Sequence, residues 1–310
     1  MGLFGNHHDA ELEKLFQGSV GPASDFKPRR DLGFYVLDLF FLFNLGFLTF
    51  MLAGLVVGAR HTEPISRLFL NPAQTITTFS KMTLMLSLAL IGAYNANVRR
   101  RAAMVLVIGH VIAVAAQAWL YLGYPQNLLY PADAPYLREG ILGDGIVVIL
   151  FLYLALKPAP VSRDAIDVDG VDLQSPVSTA YRWWLIVVGI AYSGFAIAIV
   201  MIRALGDLES GLGAVFGSPD PLVSNSIARC ATIAVLCFLL SARAGLRKYL
   251  TAPLVYCLGL STIGCFILAL LGKSTIVTRT GARTPGAWFL MVQIAVDGAV
   301  LLVTLGLRKL

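Results

Sequence analysis

Apolar runs long enough to cross a bilayer recur eight times along the chain, separated by short polar stretches. They lie at approximately 34–57, 75–95, 103–123, 139–157, 181–203, 222–242, 249–271 and 287–307. A helix needs roughly 20 such residues to cover about 30 Å of hydrocarbon. The pattern predicts an all-α integral membrane protein with eight transmembrane helices.

Composition agrees with that reading: hydrophobic residues make up 57% of the chain, charged residues 14%, and the mean hydropathy is +0.75. Those values exclude an ordinary soluble domain. Residues 1–33 hold no apolar core ahead of Phe34, so no cleavable leader is expected and the first span serves as its own insertion signal. Basic residues mark the side that stays in the cytoplasm. With the N-terminus inside, the inner segments carry fifteen Lys and Arg and the outer loops seven, which predicts both termini cytoplasmic. The net charge of +6 is then mostly an orientation signal, and no nucleic-acid partner is expected. Membrane lipids are the first partners implied, in the inner (plasma) membrane of a bacterium or in an organelle membrane.

The spans fall into two sets of four. Around a tight basic turn, "MLSLALIGAYNANVRRRAAMVLVIGHVI" parallels "TIAVLCFLLSARAGLRKYLTAPLVYCLG", and "GDGIVVILFLYLALK" parallels "VDGAVLLVTLGLRK". Lys81 to Arg229 is 148 positions and Asp144 to Asp297 is 153. Four spans per copy is an even number, so both copies enter from the same side and the repeats are expected to be parallel. The expected organisation is a cytoplasmic tail over 1–33 with a short amphipathic helix, a first four-helix repeat over 34–157, a cytoplasmic linker over 158–179 and a second repeat over 180–310. Asp167, Asp169 and Asp172 in the linker lack the register of a calcium loop.

The four charges inside spans are the main site candidates. Lys81 is expected to pair with Asp144 and Arg229 with Asp297, each six to ten residues below the outer surface, because unpaired charges in hydrocarbon are costly. Such pairs either fix which helices touch or line a polar cavity. Asp38 and His110 are secondary candidates, Asp38 as a partner for one of Arg99, Arg100 and Arg101. All prolines are expected outside the spans or in their first turns, which disfavours the broken helices that many carriers use.

Cofactor signals are incomplete. His7, His8, His61 and His110 are the four histidines, with His61 and His110 at opposite depths, so a bis-histidine haem held by this chain alone is not expected. Haem A synthases place histidines in both halves, whereas the second half here has none. No metal site or cofactor is assigned; a haem or quinone would have to be shared with a partner. Cys230, Cys237, Cys257 and Cys265 read as small buried packing residues. The four-span unit, with its basic turn and an Asp opening its fourth span, resembles the small DoxX-type membrane modules associated with quinone-linked oxidation, and no residue's role is carried over from them.

The function expected from these features is that of a non-catalytic integral subunit of a larger membrane complex, energy-converting or redox. One alternative is a carrier for a small ion or anionic solute through a cavity between the repeats. Another is an intramembrane enzyme on a lipophilic substrate, with Asp144 or Asp297 as general acid.

Overall fold

The computed structural model describes residues 31–57, 70–123, 133–156, 176–208, 211–217, 219–278 and 283–309. Most of the N-terminal tail, most of the linker and His61 lie outside the described residues. Eight long apolar helices make this a polytopic membrane protein. They are α1 (Leu32–Val57), α2 (Pro72–Tyr94), α3 (Ala96–Gly123), α4 (Asp133–Leu156), α5 (Pro176–Leu205), α7 (Asp220–Ala242), α8 (Ala244–Leu270) and α9 (Ala287–Lys309). A short α6 (Gly211–Gly217) precedes α7, and strands β1 (Thr275–Val277) and β2 (Arg283–Pro285) form an antiparallel hairpin between α8 and α9. The hairpin is a small addition to an otherwise all-α fold.

Several helices begin before their apolar runs, because hydropathy marks the hydrocarbon and a helix can continue into the polar interface. α3 starts at Ala96, α4 at Asp133 and α8 at Ala244. Lys81, Arg229 and Asp297 lie nine, nine and ten residues past the starts of their helices, within the expected six to ten, and Asp144 lies eleven past the start of α4, so all four charges sit about midway along their helices. Pro253, expected in a first turn, lies inside α8, where it has no N–H to give the carbonyl one turn earlier.

The helix interior joins both halves of the sequence. α2 packs on α1, α3, α7 and α8, while α7 packs on α5, α3 and α2. α2 and α7 are the most buried spans and carry nearly half of the buried polar residues among those described, whereas α1 turns Leu39, Phe43 and Phe50 outward. That outward face suits lipid, since exposed apolar surface of this extent carries no penalty in hydrocarbon.

The ends of the helices explain much of the polar sequence. Helix C-terminal carbonyls lack intrahelical donors, and arginines supply them at the two tight turns. Arg99 Nε donates to Gly92 O at 2.9 Å and Nη2 to Ala93 O at 2.9 Å, while Nη1 meets Asp31 Oδ1 at 2.5 Å. Arg247 Nε donates to Leu240 O at 3.0 Å and Nη2 to Ser241 O at 3.5 Å, while Nη1 reaches Ser178. Arg100 Nε closes the end of α4 through Ala155 O at 2.9 Å. The basic turn residues therefore cap helices. Arg247→Met is expected to cost about 2 kcal/mol, the scale of charged hydrogen bonds lost to buried carbonyls, read as a lower unfolding midpoint in detergent.

At the opposite end, neutral and charged groups tie the connections together. Asn71 caps α2 by accepting from Gln74 N, and both side chains donate to Val215 O at the end of α6. Val277 N donates to Leu70 O, so the hairpin docks on the start of α2. Arg203, Asp220 and Asp133 form a buried cluster joining the end of α5 to the starts of α7 and α4, with Arg203 Nη2 2.8 Å from Asp220 Oδ1.

Candidate functional site

Polar side chains around the four mid-helix charges gather into three groups. The largest surrounds Asp297 on α9. Arg229 on α7 places Nη2 2.7 Å from Asp297 Oδ2, and Ser261 on α8 donates to the same oxygen. Tyr192 on α5 donates to Oδ1, with the Arg229 guanidinium over its ring at 5.9 Å. Asp297 thus accepts from three helices at 2% exposure, and Arg229 is 3% exposed. Hydrocarbon makes such convergence necessary, since each donor or acceptor left alone there is costly.

Gln293, one turn before Asp297, extends the group. Its Nε2 donates to Ser261 Oγ at 2.9 Å and to Thr77 Oγ1 at 3.0 Å. Ser261 gives its hydrogen to Asp297 and Thr77 gives its own to Ala73 O, so both hydroxyls must accept from Gln293. That fixes the amide orientation. Gln293 Oε1 and Arg229 Nε then remain buried without a hydrogen-bond partner.

The other two groups divide the expected Lys81 and Asp144 pair. Lys81 Nζ on α2 donates to Asn225 Oδ1 on α7 at 2.7 Å. Asp144 on α4 instead meets His110 Nδ1 at 2.7 Å and accepts from Gln117 Nε2 at 3.0 Å, both on α3. The two charges are near enough to attract one another but form no direct ion pair. Neutral amides and an imidazole occupy the contact positions. A carboxylate can only accept, so His110 donates from Nδ1, and its buried Nε2 has no partner. Phe40 and Phe151 flank the imidazole at 5.7 and 6.1 Å between ring centres. Gly140 makes room for this group, because a Cβ there would lie 2.9 Å from the Gln117 amide.

Asp38 is half-buried and pairs with none of the three arginines; Asp31, at the start of α1, is the carboxylate that meets Arg99. All four cysteines are buried and free. Among the described residues no group of three potential metal ligands forms.

The spacing of polar residues around the charges carried a signal that charge matching missed. Asn225 and Gln293 lie four before Arg229 and Asp297, and Gln117 lies seven after His110, so each shares a helix face with its ionisable neighbour. Tyr192 and Ser261 have no comparable mark in the sequence.

A cleft of about 350 Å³ borders the Asp297 group. Arg229, Asp297, Gln293 and Thr77 bound its buried end, and Phe195, Leu212, Val292 and Ala198 its exposed side. It lies where α5 touches α9 only lightly, with α6 across one end.

No family model, curated protein or solved structure matches the chain.

Proposed function

We propose that the protein is a non-catalytic integral subunit of a larger membrane complex, built as two parallel four-helix repeats with both termini cytoplasmic. The observation that carries this reading is how the intramembrane charges are used: Arg229, Asp297, Lys81 and Asp144 each hydrogen-bond to residues of other helices. Lys81 joins the two halves through Asn225. Asp297 is engaged by Arg229, Tyr192 and Ser261, and Asp144 by His110 and Gln117, so both carboxyls direct their contacts at this chain's own side chains, which favours a structural role over the general-acid alternative. The cleft also offers a carrier no net charge from this pair, since Arg229 and Asp297 neutralise one another.

The repeat is supported by a register that extends beyond the charges. α2 and α7 have 23 residues each and start 148 positions apart. At the same offset, Asn95 and Arg243 form the turns, and Arg99 and Arg247 reach back seven and six residues to carbonyls. Helix contacts exchange in a matching way, α2 on α8 and α7 on α3. The inner membrane of a bacterium, or an organelle membrane, is the proposed setting, and any haem or quinone would be held jointly with a partner.

Purification from native membranes in mild detergent tests this reading, with co-eluting chains identified and an absorption spectrum recorded. Stoichiometric membrane partners are the expected result. A lone colourless monomer overturns it.

A further inference from the structure

The tight turns that join α2 to α3 and α7 to α8 share a register but not a charge balance. Arg99 and Arg247, 148 positions apart, both reach back to helix-end carbonyls. Arg99 also meets a carboxylate, Asp31, at 2.5 Å. In the corresponding place Arg247 Nη1 finds only Ser178, donating to its carbonyl at 3.1 Å and its hydroxyl at 3.0 Å. Among the described residues no carboxylate lies within 4 Å of Arg247.

The charge around Arg247 is reinforced, not offset. Arg182 on α5 is near enough to repel it. Arg182 and Lys248 are both exposed, and Lys248 Nζ stands over the Tyr249 ring at 5.7 Å. The described carboxylates of the second half are Asp207, Asp220 and Asp297, which lie at the opposite helix ends or mid-helix, so none is at this end. Depth narrows what can supply the missing negative charge. Lys248 immediately precedes the apolar run of α8, and Arg182 lies within the first two turns of α5 beside Trp183, which is 61% exposed. Basic side chains and an exposed tryptophan at the ends of spans are level with the lipid headgroups.

We propose that Arg182, Arg247 and Lys248 form a site for the phosphate of an anionic lipid headgroup. Guanidinium and ammonium groups meet phosphate oxygens through charge-assisted hydrogen bonds, and clustered basic residues at a membrane surface attract anionic lipid. A zwitterionic head brings its own cation and would leave the cluster uncompensated. A free phosphate anion shares the recognising chemistry, but it lacks the acyl chains that would hold it at this depth. The site is formed by this chain alone and does not depend on the subunit reading.

The test is tryptophan quenching of the full chain in dioleoylphosphatidylcholine vesicles, titrated with dibrominated phosphatidylglycerol or with dibrominated phosphatidylcholine. Trp119→Phe with Trp288→Phe leaves Trp183 and Trp184 beside the site as reporters. The anionic lipid is expected to bind at least about fivefold more strongly than the zwitterionic one, the scale of one basic residue at a charged surface. Arg182→Gln with Lys248→Gln is expected to bring the ratio close to one without changing the elution profile. Arg101→Gln, at the turn of the first half, is expected to leave the ratio as it was. Should the two-tryptophan background fail to fold, the fall in ratio that Arg182→Gln with Lys248→Gln causes in the natural chain still decides. Inorganic phosphate, at an ionic strength matched with chloride, is expected to leave the ratio unchanged. A ratio near one in the starting protein, an equal loss from Arg101→Gln, or displacement of the anionic lipid by inorganic phosphate overturns the proposal. So does a ratio that rises only when Asp164, Asp167, Asp169 and Asp172 are replaced by Asn, since the linker would then be the occupant.

Discussion

Arg229→Met is expected to be the most damaging single substitution in the membrane interior, lowering stability by about 3–5 kcal/mol. The guanidinium lies 2.7 Å from Asp297 Oδ2, with both residues almost fully buried. Methionine fills similar volume, so little of the loss would come from a cavity. What remains is a carboxylate in hydrocarbon, with the Tyr192 and Ser261 hydroxyls beside it and no countercharge. Asp297→Leu is expected to be comparably damaging for the converse reason, since it strands Arg229 away from any other carboxylate within 4 Å among the described residues. Unfolding midpoints in mild detergent measure both. A loss below about 1 kcal/mol, the scale of an exposed ion pair, would show that water or lipid headgroups reach the pair.

Gly109→Leu is the second large effect expected, and it tests how the two halves meet. A Cβ at Gly109 would lie 2.6 Å from Met85 Cε and 2.7 Å from Thr232 Oγ1. Met85 can turn aside, but Thr232 is β-branched and donates to Ala228 O at 2.6 Å, which holds it in place. α3 cannot then stay against α7, and overpacking of this kind costs about 1–3 kcal/mol even for smaller insertions. Gly46→Leu is the control, because a Cβ there meets nothing within 4 Å. Loss of stability at Gly109 with none at Gly46, read from the same unfolding curves, is the expected result. Equal tolerance would mean that α3 and α7 do not pack this closely.

The eight spans were legible because hydrocarbon imposes a length and a polarity that the sequence must display. α6 and the β-hairpin were not, since both are shorter than any span and are held by distant groups. Asn71 and Gln74 donate to Val215 O, and Leu70 O accepts from Val277 N. Helix starts were placed too late wherever a polar stretch such as Arg99 to Arg101 continues the helix while its side chains reach back to carbonyls. That displacement also placed Asp144 nearer the start of its span and moved Pro253 away from the interior of α8.

Opposite charges located the centres of the polar groups, and Arg229 and Asp297 do meet. The matching of Lys81 to Asp144 treated charge as the only currency in the membrane, whereas Asn225, His110 and Gln117 provide full-strength hydrogen bonds with no second charge to bury. Tyr192 and Ser261 were illegible for another reason. Each reaches Asp297 across a helix contact, and their spacing along the chain, 105 and 36 positions from Asp297, carries no periodic signal.

On the proposed function, the intramembrane charges hold helices together and serve neither chemistry nor transport. A double-mutant cycle on Arg229→Met and Asp297→Leu, followed by unfolding midpoint and by co-elution of partner chains, tests it most directly. The double variant is expected to recover most of the stability lost by either single variant, because apolar side chains replace a buried pair without leaving a charge, and to retain the same co-eluting chains. A double variant that folds as stably as the starting protein yet loses its partners or its cellular activity would contradict the claim and assign the pair a functional role.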